Sequence, residues 1–171
     1  MSSNIDEELH AQVKGIVDDL EAAASGSLYD VDGEYKVIDD LDEWKKEQYT
    51  KKTREFIKEH PVSDLDKDCY DTYQEWMEDE IGTVDDVDEP DEVSIGEYVD
   101  KESLGDVRFE VDSSKELLGG KVLFCYGGPN IWVADDEVRG YWGSSTVEMS
   151  LDSDTRSALF SWFEEMWDNV K

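Results

Sequence analysis

The chain has 171 residues with 46 acidic and 16 basic side chains, which gives a net charge of −30. A charge of this sign repels nucleic acid and anionic membranes, so it argues against both as direct partners and favours cationic protein surfaces. A hydrophobic fraction of 38% and an aromatic fraction of 11% predict a folded protein, because disordered acidic chains are poor in aromatic residues. The acidic first residues and the lack of a long apolar run predict a cytoplasmic protein with no signal peptide and no membrane span.

The acidic residues are concentrated in the first hundred positions. Residues 1–100 carry 32 acidic and 9 basic side chains, whereas residues 101–171 carry 14 and 7. Residues 64–100 hold 16 acidic side chains and a single base, Lys67. Adaptation to high salt also produces acidic proteins, but it usually depletes Lys, and 12 of the 16 bases here are Lys. The clustering therefore favours a binding function, with plain solubility as the alternative.

Two helices and a hairpin are predicted for the first sixty residues. Asn4 opens a capping-box-like pattern, and the apolar spacing predicts a helix over Asn4–Ala24. Tyr29–Val37 contains Asp32-Gly33, which predicts a short hairpin turn. A second helix is predicted over Asp39–Glu59, ended by Pro61. We expect the six bases of this helix to lie near acidic neighbours and to neutralise them in part. These bases are Lys45, Lys46, Lys51, Lys52, Arg54 and Lys58.

A third helix, with an acidic stripe, is predicted over Ser63–Ile81. Apolar residues recur there at the spacing of one helical face, at Leu65, Cys69, Tyr73, Trp76, Met77 and Ile81. The other side carries Asp64, Asp68, Asp71, Glu75 and Glu78. Like charges four residues apart each cost a helix about 0.2–0.5 kcal/mol. Because the stripe opposes the stability of the helix that carries it, it is a candidate for function.

An acidic loop is predicted to follow this helix, since Thr83–Glu92 reads TVDDVDEPDE. Acids three to four residues apart on a helix lie about 5–6 Å apart, a spacing comparable with that of phosphates along a nucleic-acid strand. The helix and the loop together predict a rod of negative charge that binds the groove of a basic nucleic-acid-binding protein. The predicted partner-binding residues are Asp64, Asp68, Asp71, Glu75, Glu78, Asp79, Asp85, Asp86, Asp88, Glu89, Asp91 and Glu92.

A calcium loop is an alternative explanation of part of this stripe. Asp64, Asp66, Asp68 and Glu75 occupy positions 1, 3, 5 and 12 of the calcium-loop pattern. The sixth position, where the sharp turn needs Gly, is Cys69. One uninterrupted amphipathic helix explains the same residues. We therefore predict no metal site and keep calcium as an open alternative.

A sheet is predicted for the last third of the chain. Short strands are predicted at Val107–Val111, Lys121–Tyr126, Ile131–Val133, Val138–Trp142 and Val147–Leu151. Turns are predicted between the strands, at Gly119-Gly120 and Gly127–Asn130 among other places. Asp152 or Ser153 caps a final helix that runs to Val170. Its predicted inward-facing residues are Leu159, Phe160, Phe163, Met166 and Trp167.

The predicted fold class is α+β, with N-terminal acidic helices followed by a small antiparallel sheet of four to five strands covered by a C-terminal helix. The predicted domains are an acidic helical region at 1–82, an acidic linker at 83–94 and a sheet-plus-helix unit at 95–171.

The sequence carries no signature of catalysis. The histidines are His10 and His60, and neither lies near an obvious nucleophile. Cys69 and Cys125 lie in different segments without metal-type spacing, which predicts two reduced thiols. Carboxylates are so abundant that pairs of them carry no information about acid–base chemistry. We therefore predict a protein that is not an enzyme and takes no cofactor.

A resemblance concerns the sheet region. Residues 117–142 read LLGGKVLFCYGGPNIWVADDEVRGYW, and the closing helix contains Phe163-Glu-Glu-Met-Trp167. This pattern resembles a group of small acidic proteins encoded by phages and mobile elements of gut Firmicutes. The resemblance covers about the last 75 residues and implies no functional residue. It implies a context, because small acidic phage proteins often inhibit host defence, and anti-CRISPR and anti-restriction proteins among them occupy nucleic-acid grooves.

Two hypotheses about function follow. The first is a non-enzymatic phage-type inhibitor of a bacterial nucleic-acid-targeting defence complex, a CRISPR–Cas effector nuclease above all, which acts by acidic nucleic-acid mimicry. It predicts binding that weakens steeply with salt. The alternative is an adaptor or regulatory module in which the acids serve solubility and the aromatic sheet docks a protein partner in a salt-tolerant way. The aromatic residues of that alternative are Tyr126, Trp132, Tyr141 and Trp142.

Overall fold

The computed structural model describes residues 2–171, with side chains from Asn4 onward. The fold is α+β, as predicted. By its internal contacts the chain divides into two compact units, one formed by residues 2–37 with 92–171 and the other by residues 38–91. No helix in residues 2–171 combines the length and the apolar character needed to cross a bilayer.

The chain forms five α-helices and eight strands within the described residues. The helices are α1 (Ser2–Ser25), α2 (Leu41–Glu59), α3 (Tyr73–Ile81), α4 (Ile95–Glu102) and α5 (Ser153–Val170). The strands are β1 (Leu28–Val31), β2 (Glu34–Val37), β3 (Asp91–Glu92), β4 (Val107–Val111), β5 (Leu117–Cys125), β6 (Asn130–Ala134), β7 (Glu137–Trp142) and β8 (Ser145–Ser150). Short 3₁₀ turns lie at Val62–Asp64 and Val84–Asp86.

The larger unit is a five-stranded antiparallel sheet in the order β4-β5-β6-β7-β8, with helices packed on one face. Helix α1 packs on β7 and β8, and α5 packs on β5 and on α1. The core between helices and sheet is apolar, and its buried members include Leu9, Val13, Val122, Val133, Val138, Leu159 and Phe163. The C-terminal helix therefore covers the sheet as predicted, but it shares that role with α1.

Two glycines allow the helices to approach the sheet closely. A Cβ atom on Gly120 would lie 2.6 Å from Cδ1 of Phe163, and one on Gly140 would lie 2.7 Å from Cγ2 of Val13. The predicted turn at Gly119-Gly120 is therefore wrong, because both residues lie inside strand β5. Glycine is needed there for close packing and not for a turn conformation.

The other local predictions for this unit hold with small shifts. The β1–β2 hairpin is confirmed, and its two-residue turn has positive φ at Asp32 (54°) and Gly33 (87°), as a type I′ turn requires. Helix α1 begins at Ser2, ahead of the predicted start at Asn4. Helix α5 is confirmed, with Asp152 as its N-cap residue. Among its predicted inward residues Leu159 and Phe163 are buried, and the buried Trp162 was not predicted.

The unit formed by residues 38–91 is built around an aromatic cluster between α2 and α3. Phe56 of α2 is buried, stacks on His60 with ring centroids 4.4 Å apart and meets the edge of Trp76 at 5.3 Å. The hydroxyl of Tyr73 donates a hydrogen bond to the carbonyl of His60 over 2.6 Å. The prediction of a second helix is confirmed by α2, which begins after its N-cap residue Asp40.

The units formed by contacts differ from the three domains predicted from the sequence. Residues 2–37, predicted to belong to the helical region at 1–82, are part of the sheet unit because Leu9 and Val13 of α1 are buried in its core. The segment predicted as a linker at 83–94 contains the 3₁₀ turn Val84–Asp86 and strand β3. Helix α4 was not predicted at all.

Candidate functional site

All twelve carboxylates predicted to bind a partner are exposed. Eleven of them, from Asp64 to Asp91, belong to the unit formed by residues 38–91, and Glu92 belongs to the other unit. We call the eleven the acidic surface. Asp66 and Glu80 are exposed acids of the same stretch that the prediction left out. Residues 64–91 carry 13 acidic side chains and one base, Lys67, so this part of the unit is strongly negative.

The acidic surface is not one helical stripe, and that part of the prediction is wrong. Helix α3 begins only at Tyr73, because a capping box formed by Thr72 and Glu75 starts it there. The amide of Glu75 donates to the Thr72 hydroxyl over 3.1 Å, and the amide of Thr72 donates to the Glu75 carboxylate over 3.3 Å. Asp64, Asp68 and Asp71 therefore precede the helix.

The segment before α3 is a series of turns that Asp66 stabilises. The amide of Asp68 donates to the Asp66 carboxylate over 3.0 Å, and the amides of Cys69 and Tyr70 donate to the Asp66 carbonyl. Short polar side chains offer the backbone such bonds in place of helical ones, which explains why the helix does not extend back to Ser63.

This turn segment is tied to α3 by a hydrogen bond between the side chains of Tyr70 and Asp79. The Tyr70 hydroxyl donates a hydrogen bond of 2.5 Å to the Asp79 carboxylate, and this bond raises the pKa of Tyr70 to about 12. The contact joins acids of the turn segment and acids of the helix within one folded unit.

The loop after α3 also uses some of its acids locally. The Asp86 carboxylate accepts bonds from the Thr83 amide (2.7 Å) and the Thr83 hydroxyl (3.0 Å), and these bonds lower the pKa of Asp86. The Glu89 carboxylate pairs with Lys45 at 2.8 Å, and this bond raises the pKa of Lys45. The prediction that bases of α2 lie near acidic neighbours is thereby confirmed for Lys45.

The acidic surface contains two kinds of carboxylate. Five of them have local partners, namely Glu75, Glu78, Asp79, Asp86 and Glu89. The other six lie before or after α3, and among them Asp64, Asp68, Asp85 and Asp88 lie in turns and loops. Binding to a partner is therefore best tested on the second group, because changes in the first group also remove folding contacts.

The positions of the residues give no support to a calcium loop. The Glu75 carboxylate, the predicted twelfth-position ligand, accepts hydrogen bonds from the amides of Asp71 and Thr72, and the Asp66 carboxylate accepts one from the amide of Asp68. Within residues 2–171 no three His, Cys, Asp or Glu side chains converge in a way that could hold a metal ion.

The aromatic residues of the alternative hypothesis do not share one surface. Trp132 and Tyr141 lie on the sheet face opposite the helices, which we call the outer face. Trp142 packs against the core beneath the helices, and Tyr126 follows β5 in an exposed loop. The turn predicted at Gly127–Asn130 is confirmed between β5 and β6, except that Asn130 is already the first residue of β6; the Gly127 amide donates a hydrogen bond to the Asn130 side chain over 3.1 Å.

The outer face also carries a cluster of bases that the sequence analysis missed. Arg108 lies over the Trp132 ring at 4.7 Å and Lys121 lies over it at 4.8 Å. Arg139 is directly opposite Trp132 on the neighbouring strand. The alternation of side chains along β4, β5 and β7 places these bases on one side, but only the register between strands brings them together.

No family model, no curated protein and no solved structure matches this chain.

Proposed function

We propose that the protein is a non-enzymatic inhibitor that binds the nucleic-acid groove of a basic protein through its acidic surface. The observation that supports this most is the exposure of all eleven carboxylates of that surface within a folded unit of 54 residues. Carboxylates held on a folded unit lose less entropy on binding than carboxylates of a disordered tail.

The charge of the unit agrees with this proposal. Residues 38–91 carry 20 acidic and 7 basic side chains, and six of the seven bases lie on α2. The segment from Asp64 to Asp91 itself holds 13 acidic side chains and one base, Lys67, and Lys45 of α2 pairs with its Glu89, so the segment keeps a large net negative charge. A field of this kind attracts surfaces lined with Lys and Arg and speeds their encounter.

A bacterial defence complex that targets nucleic acid is the proposed class of partner, and a CRISPR–Cas effector nuclease is the first target to test. That choice rests on the resemblance of residues 117–142 to small acidic phage proteins. The acids of the turn segment, α3 and the following loop would occupy sites that phosphates otherwise fill. An adaptor that docks through sheet aromatics is less well supported, since Trp142 is part of the core.

Affinity capture with a salt gradient tests the proposal. The tagged protein would be incubated with lysate of a Firmicutes host and with purified CRISPR–Cas effectors, and bound proteins would be eluted in steps of increasing salt. We expect a basic nucleic-acid-binding protein to elute at moderate salt, because screening weakens exposed charge pairs.

Two variants of equal net charge sharpen this experiment. The first changes Asp64, Asp68, Asp85 and Asp88 to Asn. The control changes Glu7, Glu8, Glu164 and Glu165 to Gln, which removes the same charge from exposed positions of the other unit. Exposed pairs are each worth about 0.2–1 kcal/mol, so the first variant should lose roughly 1–4 kcal/mol of binding and the control much less. Equal weakening in both variants would overturn the proposal, as would a partner that stays bound at high salt.

A further inference from the structure

A second surface, on the other unit, has the opposite character and does not depend on the proposed function. Arg108 and Lys121 are directly opposite one another in the register of β4 and β5. Like charges at such paired positions destabilise a sheet. An acidic residue at either position would form a cross-strand ion pair with the remaining base. Acidic residues are abundant in this chain, which has 46 of them, yet both positions hold a base. Two bases at these positions are therefore a candidate for ligand binding.

The aromatic ring of Trp132 holds these two bases over the outer face. Both cations lie within 5 Å of the ring centroid, at 4.7 Å for Arg108 and 4.8 Å for Lys121. This contact offsets part of their mutual repulsion and orients them, and the ammonium of Lys121 has N–H groups that can donate to an anion.

The neighbouring carboxylates do not neutralise the pair. Arg108 has an exposed partner in Asp106 at 3.5 Å, whereas Lys121 forms no ion pair with any residue among 2–171. The third base, Arg139, is paired with Glu137 and with Glu148 at 3.3 Å. Lys121 is thus the base with the most unused capacity to bind an anion.

Two hollows on the outer face meet at Lys121. One, of about 190 Å³, is lined by Lys121, Trp132, Ala134, Glu137, Arg139 and Tyr141. The other, of about 410 Å³, runs along β4 and β5 past Arg108, and the acids Glu110, Asp135 and Asp136 also line it, so the cations lie at its Lys121 side and the acids restrict where a phosphate fits. The smaller hollow therefore has two aromatic rings beside a cation, which is a combination that accepts a heterocyclic base next to a phosphate.

We propose that this outer face binds a nucleoside phosphate, with the phosphate at Arg108 and Lys121 and the base in the hollow beside Trp132 and Tyr141. The forked guanidinium of Arg108 suits a phosphate, and the ammonium of Lys121 adds a point charge. Tyr141 is 38% exposed, so its ring is available for contact with a base.

The charge of the whole chain favours a small ligand over a polymer. A nucleic-acid strand would extend beyond the outer face into the field of a protein with net charge −30. A mononucleotide stays within about one Debye length of the cation pair, roughly 8 Å at physiological salt, where the distant acids are screened.

Titration of the full chain with ADP, followed by calorimetry and by amide chemical shifts, tests this proposal. Adenosine and inorganic phosphate serve as comparison ligands. We expect ADP to bind at least tenfold more tightly than either, with shifts confined to β4–β7. Lys121→Gln and Arg108→Gln should each weaken ADP binding about tenfold, the usual effect of losing one charge-assisted hydrogen bond. Lys36→Gln, at an exposed position of β2 away from this sheet, should leave binding unchanged.

Several results would overturn the proposal of a nucleoside-phosphate site. The site does not exist if ADP shows no saturable binding at millimolar concentration, or if Lys121→Gln and Lys36→Gln bind ADP equally well. If inorganic phosphate binds as tightly as ADP, the site binds anions only and the adenine ring makes no contribution to binding. If a single-stranded oligonucleotide binds more tightly than ADP, the ligand of the outer face is a nucleic acid and not a mononucleotide.

Discussion

Gly120 of β5 lies beneath the ring of Phe163 of α5, and a Cβ atom on this glycine would come within 3.0 Å of three ring carbons. Phe163 is fully buried, so its ring has little freedom to move aside. The contact explains how α5 packs on the sheet, and the same closeness recurs between Gly140 of β7 and α1. The close packing of α1 and α5 on the sheet thus requires glycine at two strand positions.

Gly120→Ala should destabilise the protein by about 1–3 kcal/mol, because the added methyl group overpacks the core against Phe163. Urea unfolding measures this change. The matched control is Gly128→Ala, where an added Cβ would meet no atom within 4 Å, and it should stay within about 0.5 kcal/mol of the parent protein. Similar losses for the two variants would show that α5 does not pack as described.

Gly140→Ala should also be destabilising by about 1–3 kcal/mol, since its Cβ would lie 2.7 Å from Val13 and 2.8 Å from Leu9 of α1. Gly15→Ala is the control within α1 itself, because this glycine is exposed and its Cβ would meet open space. Removing a helical glycine should stabilise the protein by about 0.5–1 kcal/mol. If Gly140→Ala leaves the free energy of unfolding unchanged, α1 does not pack on β7 as described.

Thr72→Ala should destabilise α3 by about 0.5–2 kcal/mol, because it removes the side chain that caps the helix. Hydrogen exchange of the amides at Glu75 and Trp76 measures the local effect, which should be faster exchange. Ser63→Ala is the comparison, since Ser63 would start the longer helix that the periodicity predicts. If that longer helix existed, Ser63→Ala would have the larger effect and Thr72→Ala would have little.

The contribution of Asp152 to stability should depend on pH. Thr155, whose amide donates a hydrogen bond of 2.8 Å to the Asp152 carboxylate, lowers the pKa of Asp152 in the folded state. A depressed folded pKa means that the stabilisation is complete above the unfolded value, near pH 4, and is lost as the pH falls through the folded value. Asp152→Ala should therefore cost about 0.5–2 kcal/mol at pH 7 and progressively less as the pH falls below about 4. A cost that does not change with pH would contradict this account.

Several helices and turns were predictable because neighbouring residues in the sequence determine them. The hairpin at Asp32-Gly33, helix α2 and the N-cap at Asp152 each follow from neighbouring residues. The capping box of Thr72 and Glu75 is also visible in the sequence, but a continuous apolar period across Ser63–Ile81 outweighed it. Helix α4 was missed although Ser94 and Glu97 form the same kind of box.

Long-range features of the fold were not predictable from one sequence. The packing role of Gly120 inside β5 depends on its contact with Phe163, which lies 43 positions later in the chain. The membership of α1 in the sheet unit depends on Gly140 in the same way. The cation pair over Trp132 needs the register of three strands. For the acidic surface, the sequence predicted its exposure and position but not its shape, because polar turns compete with a helix at Asp66.

If the acidic surface binds the nucleic-acid groove of its partner, as we propose, the protein and nucleic acid must compete for that groove. The most direct measurement is the displacement of labelled target DNA from guide-loaded CRISPR–Cas effectors by the full-length protein, with the two charge variants run in parallel. We predict that the parent protein and the control variant displace the DNA and that the Asp64, Asp68, Asp85 and Asp88 variant displaces it much less. Simultaneous binding of the protein and DNA to the effector, or equal displacement by all three proteins, would contradict the claim.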